Sequence, residues 1–484
     1  MAMWERVRAS QPTKIDLAPT QPPTAPAELA LKQCVDLAFR NNADFRRSLA
    51  SLAGGREQLW VADQSLFYRA NSTLRREDAA GGSLSTSASA GASLGWEGVS
   101  GDSLRLGINS GTSPLGDLFR EQPSLELAYD RPLLRGAGAA SSRAELLRGA
   151  RSALLSAQLA FYDDRQDLVL QITEAYFATV LAVGELDIAA KAVDRAYQFY
   201  SMNYNKFTGE GDPLTGEGAL KVPGEQWVSQ VREIDVSQAR LSWESAKQNL
   251  ISQQQAVRDA TDRLLLAMGL SPGAEPKLVT TAAYEPQHYD EAQLCNAAIA
   301  NSTRLALLNL ARQDNLAAVR LARSAARPDL IASVGVLDLG DTGDVAASDH
   351  RGWFAGLRLE IPIAQRSLSA GINSARRSLQ VFDQAQTSAR ESIVQEMKRL
   401  VRAASTAQAQ IEIGEQSLNL ARKSREQMSE MYSEGLVSYL DVLDAEDRLV
   451  QAERSQLRKK TDYFLTSVRI RRALGEDLLP WLPE

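Results

Sequence analysis

Proline is missing from two long stretches of this 484-residue chain, between Pro132 and Pro213 and again between Pro362 and Pro480. A proline inside a helix removes a hydrogen bond and clashes with the preceding turn, at a cost of about 3 kcal/mol. Both tracts are rich in Ala, Leu, Gln, Glu and Arg, so they read as helices far longer than the usual ~11–12 residues. Histidine and cysteine are also scarce. The only histidines are His288 and His350, and the only cysteines, Cys34 and Cys295, lack CxxC spacing. That excludes zinc and haem sites; two unpaired, helix-borne thiols are expected, with a disulfide between them the alternative. Aromatics reach only 6%, which suits slender helix-on-helix packing better than a thick core. No run of 18 apolar residues offers a transmembrane helix. No Lys/Arg-rich face stands out against a net charge of −6 and a pI near 5.4, so nucleic acid is not an expected partner.

What is present is a repeated programme. Residues 1–27 end in a Pro/Thr-rich linker. A first unit, 28–270, is expected to open with a helix from about Ala27 to Arg76, with Gly54-Gly55 as its weak point. Strands follow at about 82–97 and 123–131, then long helices at about 139–207 and 225–268. In the first strand Leu84 through Trp96 alternate with Ser83 through Gly95, which is strict period-2 patterning. The Leu104–Ile108 piece is expected to be a loop or a continuation of that strand. Ser141-Ser142 are candidate caps, and Gly269 is a helix-terminating glycine. After a connector, 271–289, a second unit covers 290–476, with strands at about 328–339 and 353–363 and helices at about 365–433 and 438–475. A tail, 477–484, closes the chain. The halves echo each other: Leu37-Ala38 to Asn41-Asn42 matches Ala297-Ala298 to Asn301-Ser302, and Leu266 to Gly269 matches Arg472 to Gly475.

The helix after Gln365 carries Ile393, Leu400, Ala407, Gly414, Ala421 and Met428 every seven residues. Met397, Ala404, Ile411, Leu418 and Tyr432 fill the alternate positions, and Arg425 is the one polar break. This 3.5-residue repeat marks either coiled-coil packing or a bundle core. A helix of about 65 residues would be on the order of 100 Å long at 1.5 Å per residue, which favours a hollow sheath of helices over a filled globule. The strands are long enough for tilted bilayer crossings of ~9–11 residues, although a soluble sandwich alternates in the same way. Trp96 and Trp353 stand near strand ends, where interfacial aromatic belts occur. Four crossings per chain cannot close a barrel, whose practical minimum is about eight strands, so a barrel would need several chains.

Two segments carry a family resemblance. Pro132-Leu133-Leu134-Arg135-Gly136 lies at the strand-to-helix junction, and Tyr432-Ser433-Glu434-Gly435-Leu436-Val437-Ser438-Tyr439-Leu440-Asp441-Val442-Leu443-Asp444 resembles a periplasmic helical hairpin. With the duplicated unit, they make the chain similar to the TolC family of outer-membrane efflux proteins over about Leu29–Gly475. The resemblance implies a mainly α fold with a small β part. It implies a homotrimer in which four strands per chain build a 12-stranded transmembrane β-barrel on an α-helical coiled-coil tunnel. It also implies a location in the bacterial outer membrane, in contact with its lipid, with a periplasmic extension. The implied function is an exit duct for a tripartite efflux or type I secretion system, working with a periplasmic adaptor and an inner-membrane pump. No apolar segment follows the charged Met1–Arg8, so the secretion signal is expected to have been trimmed.

By the same resemblance Asp441, Asp444 and Asp235 ring the channel entrance and Tyr432 latches it. Gly435, Leu436, Val437 and Ser438 form the tip that meets the adaptor. Read without the resemblance, Asp441 is a favourable first-turn charge, Asp444 a solvated residue, Tyr432 a seam residue and the tip a plain turn. The chain departs from the family pattern in an insertion at 209–232 and in Val437, which replaces a basic latch residue. A soluble coiled-coil scaffold is the alternative reading, and no enzyme, cofactor or metal is expected. Asp338, Asp341 and Asp344 are spaced by three rather than in the two-residue steps of a calcium loop. Gly209–Gly218 has no phosphate-loop Gly-Lys-Ser/Thr, and two histidines offer no catalytic set.

Overall fold

The computed structural model describes residues 28–78, 84–109, 113–114, 124–215, 231–273, 276–279, 286–338, 351–363 and 366–481. The Pro-rich start, the middle of the 209–232 insertion (216–230), and Asp341, Asp344 and His350 lie outside these residues. The chain divides into two compact units: Ala50–Ala160 with Thr303–Ala389, and Met1–Leu49 with Phe161–Ser302 and Arg390–Glu484. In chain order the elements are α1 (Leu31–Asn41), α2 (Ala43–Asp63), β1 (Leu66–Asp78), β2 (Leu84–Glu97), β3 (Ser103–Asn109), β4 (Ser124–Pro132), α3 (Ser142–Thr208) and α4 (Glu233–Ala267). The second half supplies α5 (Glu291–Asn301), α6 (Thr303–Ala325), β5 (Asp329–Asp338), β6 (Arg351–Glu360), α7 (Arg366–Ser433) and α8 (Tyr439–Ala473).

The first of these units holds the sheet. Its six long strands pair antiparallel in the order β1-β2-β3-β4-β5-β6, with the two-residue strand Ser113–Pro114 beside β2. The register aligns side chains into rows, one residue per strand. Tyr68, Leu94, Leu106, Leu127, Val336 and Trp353 form one row, and Leu66, Trp96, Leu104, Tyr129, Val334 and Ala355 the next. Directly opposite residues share a face, so each row is a continuous apolar strip. Both are open to the surroundings, with Tyr68 at 90% and Trp353 at 81% exposure. On the other face small residues admit aromatics. Phe67 of β1 lies over Gly95 of β2, and Phe354 of β6 lies over Gly335 of β5.

Two expectations are corrected here. The first helix does not run on to Arg76. It breaks at Asn42, and residues 66–78 are a strand, their amides recruited by the β2 ladder. Gly54-Gly55 is not the weak point, because Gly55 packs against Leu154 of α3 inside an unbroken helix. Leu104–Ile108 is a full strand rather than a loop, joining β2 to β4. The first half therefore adds β1 and β3 to the strands expected, and its count stays even. At the strand-to-helix junction Ser141 is the expected cap: its Oγ accepts from Ala144 N at 3.0 Å and donates to Val99 O at 2.6 Å.

The second unit is helical. In each half the short first helix closes on the end of the last long helix through an asparagine and a glycine. Asn42 Nδ2 donates to Ala267 O at 2.9 Å, while Asn301 Nδ2 donates to Leu474 O at 3.1 Å. Gly269 (φ +75°) and Gly475 (φ +67°) each end a helix against the carbonyl of Asn41 or Asn301. A short parallel pair, Glu28–Leu29 with Lys277–Leu278, ties the chain's start to the connector. The α7 seam is buried as its heptads predict: Met397, Leu400, Ala404 and Ile411 pack with Tyr463 and Ile470 of α8. Gly414 admits Gln456, whose side-chain oxygen would stand 2.2 Å from a Cβ there. Cys34 and Cys295 are buried and unpaired.

α3 and α8 are joined by antiparallel ion pairs. Arg472 meets Asp163 at 2.5 Å and Asp167 at 2.7 Å, Arg469 meets Glu174 at 2.8 Å, Arg458 meets Glu185 at 2.5 Å, and Arg195 meets Glu446 at 2.8 Å. Glu174 and Glu185, like Arg469 and Arg458, are eleven residues apart, three helical turns, which returns them to one face.

At Gly269 an added Cβ would meet Asn41 O at 2.6 Å in a left-handed backbone. Gly269→Ala is expected to lower stability by about 2–4 kcal/mol, combining backbone strain with a clash that no side-chain rotation relieves. Denaturant unfolding of the purified chain measures it.

Candidate functional site

The α7–α8 hairpin turns at Gly435 (φ +79°), where Gly435 N donates to Tyr432 O at 3.0 Å and Leu436 N to Met431 O at 2.9 Å. This is the paired closure of a glycine-ended helix. Leu436 and Leu440 are exposed, and Val437 is half-buried. Helix α8 then starts from Ser438. Asp441 Oδ2 accepts from both Ser438 N (2.9 Å) and Ser438 Oγ (2.7 Å), closing a capping box. These bonds hold the Asp441 carboxyl below the usual carboxylate range.

Around the hairpin, Tyr432 is buried and donates to Asn203 Oδ1 of α3 at 2.5 Å. Phe199, Tyr432 and Tyr439 form a triangle with ring centroids 6.0–6.5 Å apart. Lys206 reaches over the Tyr432 ring at 5.9 Å and donates to Ser433 O at 3.4 Å. Asp235, in the first turn of α4, is buried and accepts from Arg232 through both oxygens at 3.1 Å. Arg232, Asp235, Tyr432, Gly435, Val437 and Ser438 line one groove.

The sequence-predicted residues therefore separate into two groups. Asp235, Tyr432 and the tip residues Gly435, Val437 and Ser438 come together at the groove. Asp441 and Asp444 lie outside its lining: Asp441 caps α8, and Asp444 pairs with Arg448 one turn on at 2.7 Å. Trp96 and Trp353 sit on the apolar sheet face in adjacent rows. Sequence reasoning missed Asn203, Phe199 and Arg232, which no periodic signal marks. It also missed Glu446, although the polar break at Arg425 pointed to it: Arg425 Nε meets Glu446 Oε1 at 2.5 Å.

The start of the insertion is held to α3. The Asp212 carboxylate accepts from Tyr197 Oη at 2.6 Å and Ser201 Oγ at 2.5 Å, and from the amides of Leu214 and Thr215. These bonds, Ser201's first, keep its carboxyl far below the ordinary range.

Burial, followed by the nearby Asp235 carboxylate, pushes the Tyr432 phenol up to about 12. An unfolded tyrosine titrates near ~10. The stability contributed by the neutral phenol is therefore complete below that pH and is lost as pH rises through the folded value. Tyr432→Phe leaves Asn203 Oδ1 buried without its donor and is expected to cost about 1–3 kcal/mol at neutral pH. It should also flatten the alkaline loss of stability. Unfolding followed from neutral to strongly alkaline pH tests both, and a variant as stable as the parent would remove the hydroxyl from this account.

Residues 294–476 match the family described as outer membrane efflux protein. Outer membrane protein TolC of Escherichia coli (strain K12) is 23% identical over 341 residues, 66% of this chain and 64% of that protein. TolC of Salmonella enteritidis is 23% identical over 338 residues, with the same coverage of each chain. The match thus spans just under two thirds of these relatives' length. Among solved structures, the outer membrane protein VceC of Vibrio cholerae superposes with a TM-score of 0.66 at 16% identity, covering 92% of this chain and 96% of VceC. CusC superposes with a TM-score of 0.67 at 18% identity, covering 97% and 98%. Residues 294–476 of the chain are thus similar to the outer membrane efflux protein family, and its fold is that of the solved outer membrane channels.

Proposed function

We propose that this chain is the outer-membrane duct of an efflux or secretion assembly, a passive conduit and not an enzyme. One observation carries the reading: the six-stranded sheet presents unbroken apolar rows to its surroundings and ends in two edges, β1 and β6, with no partner among the described residues. In water such a face and such edges invite aggregation. In a bilayer the rows meet hydrocarbon, and only closure with other copies can satisfy the edge amides. A homotrimer is the closure that the family resemblance implies. It would be set in the bacterial outer membrane, its helices extending into the periplasm towards an adaptor and an inner-membrane pump.

In this reading Asp441, Asp444 and Asp235 gather near the entrance. Threefold repetition would concentrate negative charge there and attract cations. Gly435 to Ser438, with Leu436 exposed, form the adaptor-facing tip. Tyr432 is the latch, and Trp96 and Trp353 belong to the lipid interface.

The test is conductance of the full chain in planar bilayers, with added divalent and trivalent cations. The parent is expected to conduct and to be blocked, and Asp441→Ala with Asp444→Ala should weaken the block at least about tenfold, as loss of a charge ring does. Unchanged block would refute the entrance assignment. A freely water-soluble monomer without membrane insertion would favour a coiled-coil scaffold instead.

A further inference from the structure

The ion pairs between α3 and α8 share one polarity except at one place. At Arg472, Arg469 and Arg458 the base is on α8 and the acid on α3. At Glu446 the order reverses, and the carboxylate is shared. One oxygen meets Arg195 of α3 at 2.8 Å and the other meets Arg425 of α7 at 2.5 Å. This triad is also the better enclosed: the side chains are 17% (Arg195), 26% (Arg425) and 13% (Glu446) exposed, whereas Arg458 is 58% exposed. Arg195 Nη2 is buried without a hydrogen-bond partner. Two guanidiniums therefore share the Glu446 carboxylate, with Asp447 a further carboxylate in electrostatic reach of Glu446. Arg425 also lies over the Phe199 ring at 6.0 Å, and Phe199 packs against Tyr432 and Tyr439.

We propose that the Arg195–Glu446–Arg425 triad is a charge clasp that positions the first turns of α8, and with them Asp441 and Asp444, against α3 and α7. Removing the shared carboxylate of such a partly enclosed set leaves both guanidiniums uncompensated, and that loss exceeds the net worth of the set itself. The clasp is complete within one chain, so it acts before any sister copy packs. Its consequence for the entrance rests on the duct reading, while its effect on α8 does not. Glu446 is a positioning residue: it holds the helix that carries the aspartates and need not touch cargo.

The test uses the full chain in detergent and Glu446→Gln, which keeps the side chain's shape and removes its charge. Amide hydrogen exchange over residues 439–450 is expected to quicken about tenfold or more, with residues 463–470 unchanged, as for local opening. Arg425→Gln, which leaves Arg195 and Glu446 as a balanced pair, should quicken it less. The double variant should recover part of the protection, because only one guanidinium then lacks a partner. Unchanged exchange, or uniform quickening along α8, would overturn the clasp. In bilayers Glu446→Gln should raise conductance at least about twofold, as a loosened pore constriction does. Unchanged conductance despite loosened amides would overturn the consequence for the entrance. A parent without conductance would overturn the duct reading, and the exchange result would still decide the clasp.

Discussion

Unpaired backbone amides at the edge of an apolar-faced sheet are the constraint on which this protein's organisation turns. Each strand from β1 to β6 satisfies its neighbours, and the register stacks apolar side chains in rows across all six. The sheet buries little of that face itself. In the proposed duct hydrocarbon covers that surface, and hydrocarbon tolerates no open edge. In that reading insertion and association are one requirement, because the rows and the edges belong to the same sheet.

The helical unit meets a different constraint. Aromatics such as Tyr162, Tyr176 and Phe177 are fully buried among its helices. The helices approach closely at Gly414 and are fastened by ion pairs three turns apart between α3 and α8. Most such pairs are exposed and each contributes little. The Glu446 triad differs because its three side chains are all more enclosed and share one carboxylate. The two closures at Gly269 and Gly475 repeat one device, an asparagine-ended short helix set against a glycine-ended long one. That repetition is the structural trace of the duplication seen in the sequence.

The candidate site joins both themes. Its hairpin is closed by backbone geometry at Gly435, its helix is started by Ser438 and Asp441, and its aromatic triangle links the hairpin to α3. Val437 contributes no charge, and the guanidinium that engages Asp235 comes from Arg232 on the same helical turn. Asp441 is engaged in capping and Asp444 in pairing with Arg448, yet both remain exposed charges on the hairpin's second helix.

Helix length, the duplicated order of elements and four of the strands were legible from proline distribution and period, because those signals are local and redundant. The hairpin tip was legible because glycine and a capping serine leave marks at fixed offsets. Residues 66–78 were not: nothing in that stretch alternates, and their strand form depends on β2 lying beside them. Residues 104–108 alternate, but only the ladders on both sides distinguish a strand from a loop. Asn203 was invisible for the same reason. A polar residue on a helix looks solvated until another helix encloses it, so the sequence determined the long helices and four of the strands, and tertiary packing decided the other two strands, which charges are buried and what they hold.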